Sequence, residues 1–164
     1  MGLVTDIVAT YRTPRRVVRH RIGPEPDEGR ALVTLMLACG LIFVAQWPRL
    51  SREAFESGHE LQMLIGAALL GWLFFMPLVF YVLSGVVGVV LRLAGGAGGY
   101  PVRVATFWAL LAAAPLWLLW GLVAGFVGPS VGFTLTGGVA LGAFLVFWGF
   151  GLAEAAFPKG VETT

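Results

Sequence analysis

The chain has 164 residues, of which 58% are hydrophobic and 12% charged; with a mean hydropathy of +0.86 it is too apolar for a soluble domain. Its net charge is +2 and Cys39 is its single cysteine, which excludes an intrachain disulfide and a cysteine-based metal cluster. The composition implies an all-α polytopic membrane protein, because lipid requires the backbone to satisfy its own hydrogen bonds.

Residues 1–29 form a basic arm. Projected at about 100° per residue, Leu3, Val4, Ile7, Val8 and Tyr11 share one face, with Thr5, Asp6 and Arg12 opposite. Thr13 has the character of an N-cap and Pro14 of the first residue of a second short helix. There Pro14, Val17, Val18 and Ile22 face one way, Arg15, Arg16, Arg19 and His20 the other, and Arg21 sits at the boundary. This pattern predicts an amphipathic helical arm lying on an anionic leaflet through Arg12, Arg15, Arg16, Arg19 and Arg21. Each basic residue would contribute on the order of 1 kcal/mol there. The plainer alternative is an arm that only sets topology. The acidic, proline-rich stretch from Gly23 to Gly29 argues against a cleaved or twin-arginine signal. No nucleic-acid partner is expected, since a pI of 9.1 is ordinary for a membrane protein with basic inner loops.

Four spans follow within a membrane domain covering 30–158, at about 31–48, 61–91, 104–127 and 131–157, with a short tail at 159–164. The first is just long enough to cross and gives way to a polar connection from Arg49 to Glu60. The second exceeds the roughly 20 residues a bilayer needs, and Pro77 is its expected kink. A connection from Arg92 to Arg103 carries a glycine-rich, flexible stretch, Gly95-Gly96-Ala97-Gly98-Gly99. Lacking the terminal Lys-Ser of a phosphate loop and a strand before it, this stretch does not read as a nucleotide site. Pro115 is a second expected kink, in the third span, and Gly128-Pro129-Ser130 makes a tight turn into the fourth.

Nine basic residues (Arg12, Arg15, Arg16, Arg19, Arg21, Arg30, Arg92, Arg103, Lys159) fall on one side of four spans, and only Arg49 and Arg52 on the other. The positive-inside rule then places both termini in the cytoplasm. Arginine outnumbers lysine ten to one, which suits a GC-rich bacterial genome and points to the inner membrane.

Candidates for chemistry are few. Cys39 reads as a buried core thiol. His20 and His59 lie outside the spans, and no second ligand near either completes a metal site. Glu154 is the one acid inside a span, where a carboxylate serves as a proton relay or an ion-pair partner. Its place near the span's end favours a structural role. No catalytic residue, cofactor or metal is expected. Packing signals are clearer: Ser84-x-x-x-Gly88, Gly121-x-x-x-Gly125 and Gly138-x-x-x-Gly142 each flatten a helix face for close approach, within the bundle or to a partner.

Two stretches carry a family likeness: Tyr11-Arg12-Thr13-Pro14-Arg15-Arg16-Val17-Val18, and the basic-flanked Arg103-Val104-Ala105-Thr106-Phe107-Trp108-Ala109-Leu110-Leu111-Ala112-Ala113-Ala114-Pro115-Leu116. In these the chain resembles bacterial members of the Yip1-domain family of multispanning membrane proteins. The resemblance implies a helical membrane fold and a non-enzymatic character. Family members usually show five spans, against four here, and the Asp-Leu-Tyr-Gly-Pro-type motif of eukaryotic relatives is absent.

The expected function is therefore that of a non-catalytic membrane protein that organises or accompanies other membrane proteins or lipids. The partners expected are anionic lipids and another membrane protein or a second copy. A small oligomeric transporter, channel or lipid-translocating protein is the alternative. The scattered polar residues Thr34, Gln62, Ser84, Thr106, Thr134, Thr136 and Glu154 form no row along the spans, as a hydrophilic path would require.

Overall fold

A computed structural model describes residues 2–157; Lys159 and the tail at 159–164 lie outside the described residues. The described chain is all helical. Two short helices, α1 (Leu3–Thr10) and α2 (Pro14–Ile22), precede α3 (Glu28–Ser57). Next come α4 (Leu61–Leu70), a π-helical turn (Gly71–Phe75) and α5 (Met76–Leu93), which together form one apolar crossing. The chain ends in α6 (Tyr100–Phe126) and α7 (Val131–Ala156). Four helical units are long and apolar enough to cross a membrane: α3, α4–α5, α6 and α7. Four crossings bring the first and last described segments to the same end of the bundle, the arm end.

The α3 helix outruns its expected span. It passes through Pro48 and continues to Ser57, so most of the polar connection expected from Arg49 to Glu60 is helix. Ion pairs one turn apart support the extension, Arg49–Glu53 at 3.4 Å and Arg52–Glu56 at 2.7 Å. Gly58, in the left-handed region at φ 71°, then ends the helix. At its start the Asp27 carboxylate caps the helix by accepting from the Arg30 N–H at 2.9 Å.

The irregularity expected at Pro77 takes the form of the π turn just ahead of it, where the Met76 N–H reaches back to the Gly71 carbonyl. A π turn of this kind accommodates a disturbed hydrogen-bond ladder without breaking the helix. Pro115 behaves differently. It sits on an exposed face inside a helix that remains continuous from Tyr100 to Phe126. The start of α6 also lies earlier than the expected residue 104, because Gly99 adopts φ 84° and Pro101 occupies the first turn, where a missing N–H costs nothing.

The glycine-rich connection is a packed joint rather than a loose tether. The Ala97 N–H donates to the Ala156 carbonyl at 2.9 Å, tying the α5–α6 connection to the end of α7. A Cβ at Gly98 would run into the Gly88 carbonyl and the Arg92 side chain. Ser84 and Gly88 are buried, but Gly88 faces this connection instead of another helix.

The α6 helix is the centre of the bundle, packed along α3 on one side and α7 on the other. Its buried face is rich in small residues: Ala105, Ala109, Ala112, Ala113 and Ala114 are essentially inaccessible. On α3 the buried Ala31, Leu35, Ala38, Ile42 and Ala45 alternate at spacings of four and three, a seam that meets one helix face continuously. Toward the far end, Gly121 lies against the Ala45 carbonyl and Gly125 against Pro48, so any side chain there would overlap α3 backbone. Lipid tails are as apolar as leucine, so this close approach, not water exclusion, holds the helices together. Gly138 and Gly142 of α7 have open space around them and face nothing among the described residues.

Candidate functional site: a docked basic arm

Helices α1 and α2 fold back on each other and pack into the groove at the arm ends of α6 and α7. The expected lipid-facing side of α2 is turned inward: Val17 and Val18 are buried, and Val18 meets Gly151 of α7. The reason is geometric. An apolar helix face is satisfied equally by lipid or by a smooth protein groove, and Gly151 and Ala105 provide such a groove.

The expected polar side of α1 is turned inward as well. Asp6 is only 2% exposed and Thr10 only 1%, whereas Val4 and Val8 point outward. A buried carboxylate requires a partner, and Arg21 supplies it at 2.5 Å. The Arg21 guanidinium lies 4.3 Å from the centre of the Trp108 ring, a cation–π contact. Trp108 Nε1 in turn donates to Thr10 Oγ1 at 3.0 Å, and Thr10 Oγ1 donates to the Asp6 carbonyl at 2.7 Å. Asp6, Thr10, Arg21 and Trp108 thus form one buried polar network between arm and bundle. Within it Asp6 Oδ1 and Arg21 Nε have no hydrogen-bond partner among the described residues.

A second clamp joins α2 to α7. Arg19 Nε donates to Glu154 Oε1 at 2.6 Å, with the carboxylate buried and the arginine half exposed. The hydrogen bond and the charge of Glu154 hold the Arg19 guanidinium above its usual range, so it stays charged. Glu154, the lone acid expected inside a span, is therefore an ion-pair partner. Arg19 and Arg21, expected at the lipid surface with the other arm arginines, are tied to carboxylates of the chain itself.

Tyr11, about half exposed, reaches further along α6 than Thr10 does. Its hydroxyl donates to the Ala112 carbonyl at 3.2 Å, and its ring meets Phe147 edge-on at 4.9 Å. Ala112 neighbours Leu111, whose carbonyl loses its usual helical donor at Pro115. Burial pushes the Tyr11 phenol above its ordinary value.

Arg12, Arg15 and Arg16 behave otherwise. They are exposed, and none of them takes part in an ion pair among the described residues. They border an open cavity of about 460 Å³ between the α1–α2 turn and α7, walled by Tyr11, Val146, Phe147 and Phe150. The Arg15 guanidinium stands 5.4 Å from the centre of the Phe150 ring. Thr13 precedes α2 without capping it, its hydroxyl donating to the Ala9 carbonyl at 3.2 Å instead.

At the arm end a further bidentate pair joins Arg103 of α6 to Glu28 of α3. At the far end His59 Nδ1 lies 2.8 Å from Ser57 Oγ in an exposed setting. Cys39 is a buried free thiol. No group of three or more His, Cys, Asp or Glu side chains that could hold a metal is found among the described residues.

The hydroxyl side chains singled out within the crossings fold back on their own helices, whereas Gln62 near the start of α4 is exposed. Thr34 donates to the Arg30 carbonyl, Ser84 to Tyr81, Thr106 to Val102, Thr134 to Ser130 and Thr136 to Gly132, each within 3.3 Å. Thr106 also accepts from Trp148 Nε1 at 3.0 Å, joining α6 to α7.

Compared with known proteins, the chain matches no family model, no curated protein and no solved structure. The likeness to the Yip1-domain family rests on its two short sequence stretches alone.

Proposed function

We propose that this membrane protein is a non-catalytic component of the bacterial inner membrane, Yip1-like in character, that organises or accompanies other membrane proteins or lipids. In this reading both termini lie in the cytoplasm, where the basic residues of the arm and inner loops collect. The observation that carries it is how the polar groups are used. Asp6, Arg19, Arg21 and Glu154 are engaged in clamping the arm to the bundle, and the hydroxyls of the crossings bond to their own helices. A conduit needs polar groups that face a path and are free to exchange partners with a passing solute. An accessory protein needs stable faces and a fixed cytoplasmic module, which this arrangement supports.

The test is gentle extraction of the tagged protein from its native membrane, followed by mass spectrometry and size analysis. The proposal expects a stoichiometric complex with a second membrane protein, or with a second copy. A monodisperse, partner-free monomer would overturn it. Solute flux in proteoliposomes that is abolished by Glu154→Gln would establish the transport alternative instead.

A further inference from the structure

Among the described residues, four of the five carboxylates at the arm end are paired: Asp6 with Arg21, Glu154 with Arg19, Glu28 with Arg103 and Asp27 with Arg30, while Glu25 in the linker has no ion pair. Arg12, Arg15 and Arg16 have no such partner among the described residues, and all three border the same cavity. That cavity has an apolar wall from α7, where Phe147 is buried and Val146 and Phe150 are about half exposed. A cavity with three unpaired cations at its mouth and an apolar surface running away from it matches one kind of molecule. That molecule carries an anionic head on an apolar tail.

We propose that Arg12, Arg15 and Arg16 bind the headgroup phosphate of an anionic phospholipid, one acyl chain of which lies along Val146 and Phe150. The inference rests on the functional reading only in placing the arm end at the anionic, cytoplasmic leaflet. Depth agrees with it. Counting about 20 residues of span back from the far end of α6 puts the arm-side boundary near Thr106. Tyr11, meeting Ala112, then dips about 9 Å below that boundary. The same count along α7 places the boundary near Gly151, beside Phe150 and the guanidinium of Arg15. The arginines therefore stand at headgroup level, with the apolar wall continuing into the hydrocarbon. Guanidinium groups suit this role because their planar donors match phosphate oxygens in pairs. The uncapped first turn of α2 adds a favourable dipole at the same place.

This differs from a diffuse electrostatic hold by a basic arm. Arg19 and Arg21 are excluded from the site by their carboxylates, and the site takes one lipid per chain. Native mass spectrometry of the full chain in mild detergent, titrated with phosphatidylglycerol, tests it. The expected result is a single retained phosphatidylglycerol, with no comparable retention of phosphatidylcholine and no displacement by inorganic phosphate. Replacing Arg12, Arg15 and Arg16 together by Gln should weaken retention about a hundredfold, from roughly fivefold per residue. Phe150→Ala should weaken retention of phosphatidylglycerol, because it removes part of the apolar wall and the ring beside which the Arg15 guanidinium stands. The far-end pair Arg49→Gln and Arg52→Gln should have no effect. If the triple variant misfolds, the three single substitutions carry the same test, each expected at about fivefold.

Unchanged retention in the arm variants would overturn the proposal. So would equal loss in the far-end variant, or displacement by inorganic phosphate, which would mark a simple anion site. A protein that proves to be a partner-free monomer yet retains phosphatidylglycerol through these arginines would refute the accessory role and leave this site standing.

Discussion

Gly121-x-x-x-Gly125 of α6 and Gly138-x-x-x-Gly142 of α7 are the same motif in sequence and opposites in the bundle. The first presses α6 backbone onto Ala45 and Pro48 of α3, whereas the second faces open space. The arm repeats the contrast at smaller scale. The Val17–Val18 face of α2 is buried against the bundle, whereas Val4 and Val8 of α1 are turned outward. A small or apolar face states that close approach is permitted; only the arrangement of neighbouring helices decides what approaches. The central position of α6 follows from the same logic, with 44% of its most apolar stretch buried against 17% for α4–α5 and 11% for α7.

The largest effects should fall on faces closed within the chain. Gly121→Leu must displace the α3 backbone and should cost about 3 kcal/mol or more, near the upper end of overpacking penalties. Gly138→Leu should change stability by less than about 0.5 kcal/mol, as surface substitutions do. Thermal unfolding of both variants in the same detergent checks the pair. Equal melting temperatures would dissolve the distinction between the two motifs.

Asp6→Ala comes next. It strands Arg21 in a buried setting and should cost about 3 kcal/mol, the lower range for breaking a buried pair. Asp6→Asn should cost less, because the amide oxygen still accepts from the guanidinium. Denaturant titration monitored through tryptophan fluorescence would follow both, since Trp108 belongs to the same network.

Glu154→Gln should loosen α2 without unfolding the bundle, seen as faster proteolysis after the arm arginines while α6 stays protected. Arg19 remains cationic at every ordinary pH, so this clamp should be insensitive to pH on the alkaline side up to its own high value.

The smallest effect belongs to Tyr11. Its pKa is raised in the folded arm by burial, so its contribution is complete below the ordinary value near 10 and is lost as pH rises through the higher folded value. Tyr11→Phe should remove that alkaline step from an arm-docking titration and cost about 1 kcal/mol for the lost hydrogen bond.

The helical membrane class and the approximate crossings were legible in the sequence because span length and apolarity are set by lipid thickness, a property of the chain alone. The tight turn at Gly128-Pro129-Ser130 was legible for the same kind of local reason, Gly128 taking φ 75° and Ser130 capping α7. Helix ends were less so. The extension of α3 past Pro48 depends on its ion pairs and on contact with α6, neither of which hydropathy records.

The docking of the arm was the least legible feature. Nothing in local pattern links Asp6 to Arg21, Thr10 to Trp108 or Tyr11 to Ala112, since these pairs are brought together only when α6 and α7 form their groove. One signal was available. Ala105, Ala109, Ala112 and Ala113 recur on one side of α6 and mark a second smooth face, which a search confined to glycine passes over. The glycine-rich connection misled in the opposite direction, because glycine serves close approach as well as flexibility.

The most direct test of the account is a disulfide between α2 and α7. A chain carrying Val18→Cys and Gly151→Cys, with Cys39→Ala to remove the native thiol, would be oxidised mildly in native membranes. Rapid, intramolecular crosslinking is expected, because a Cβ at position 151 lies 3.5 Å from the Val18 side chain. Absence of the crosslink, with both cysteines still free to react with a small maleimide, would mean that the arm is not docked and would contradict the account.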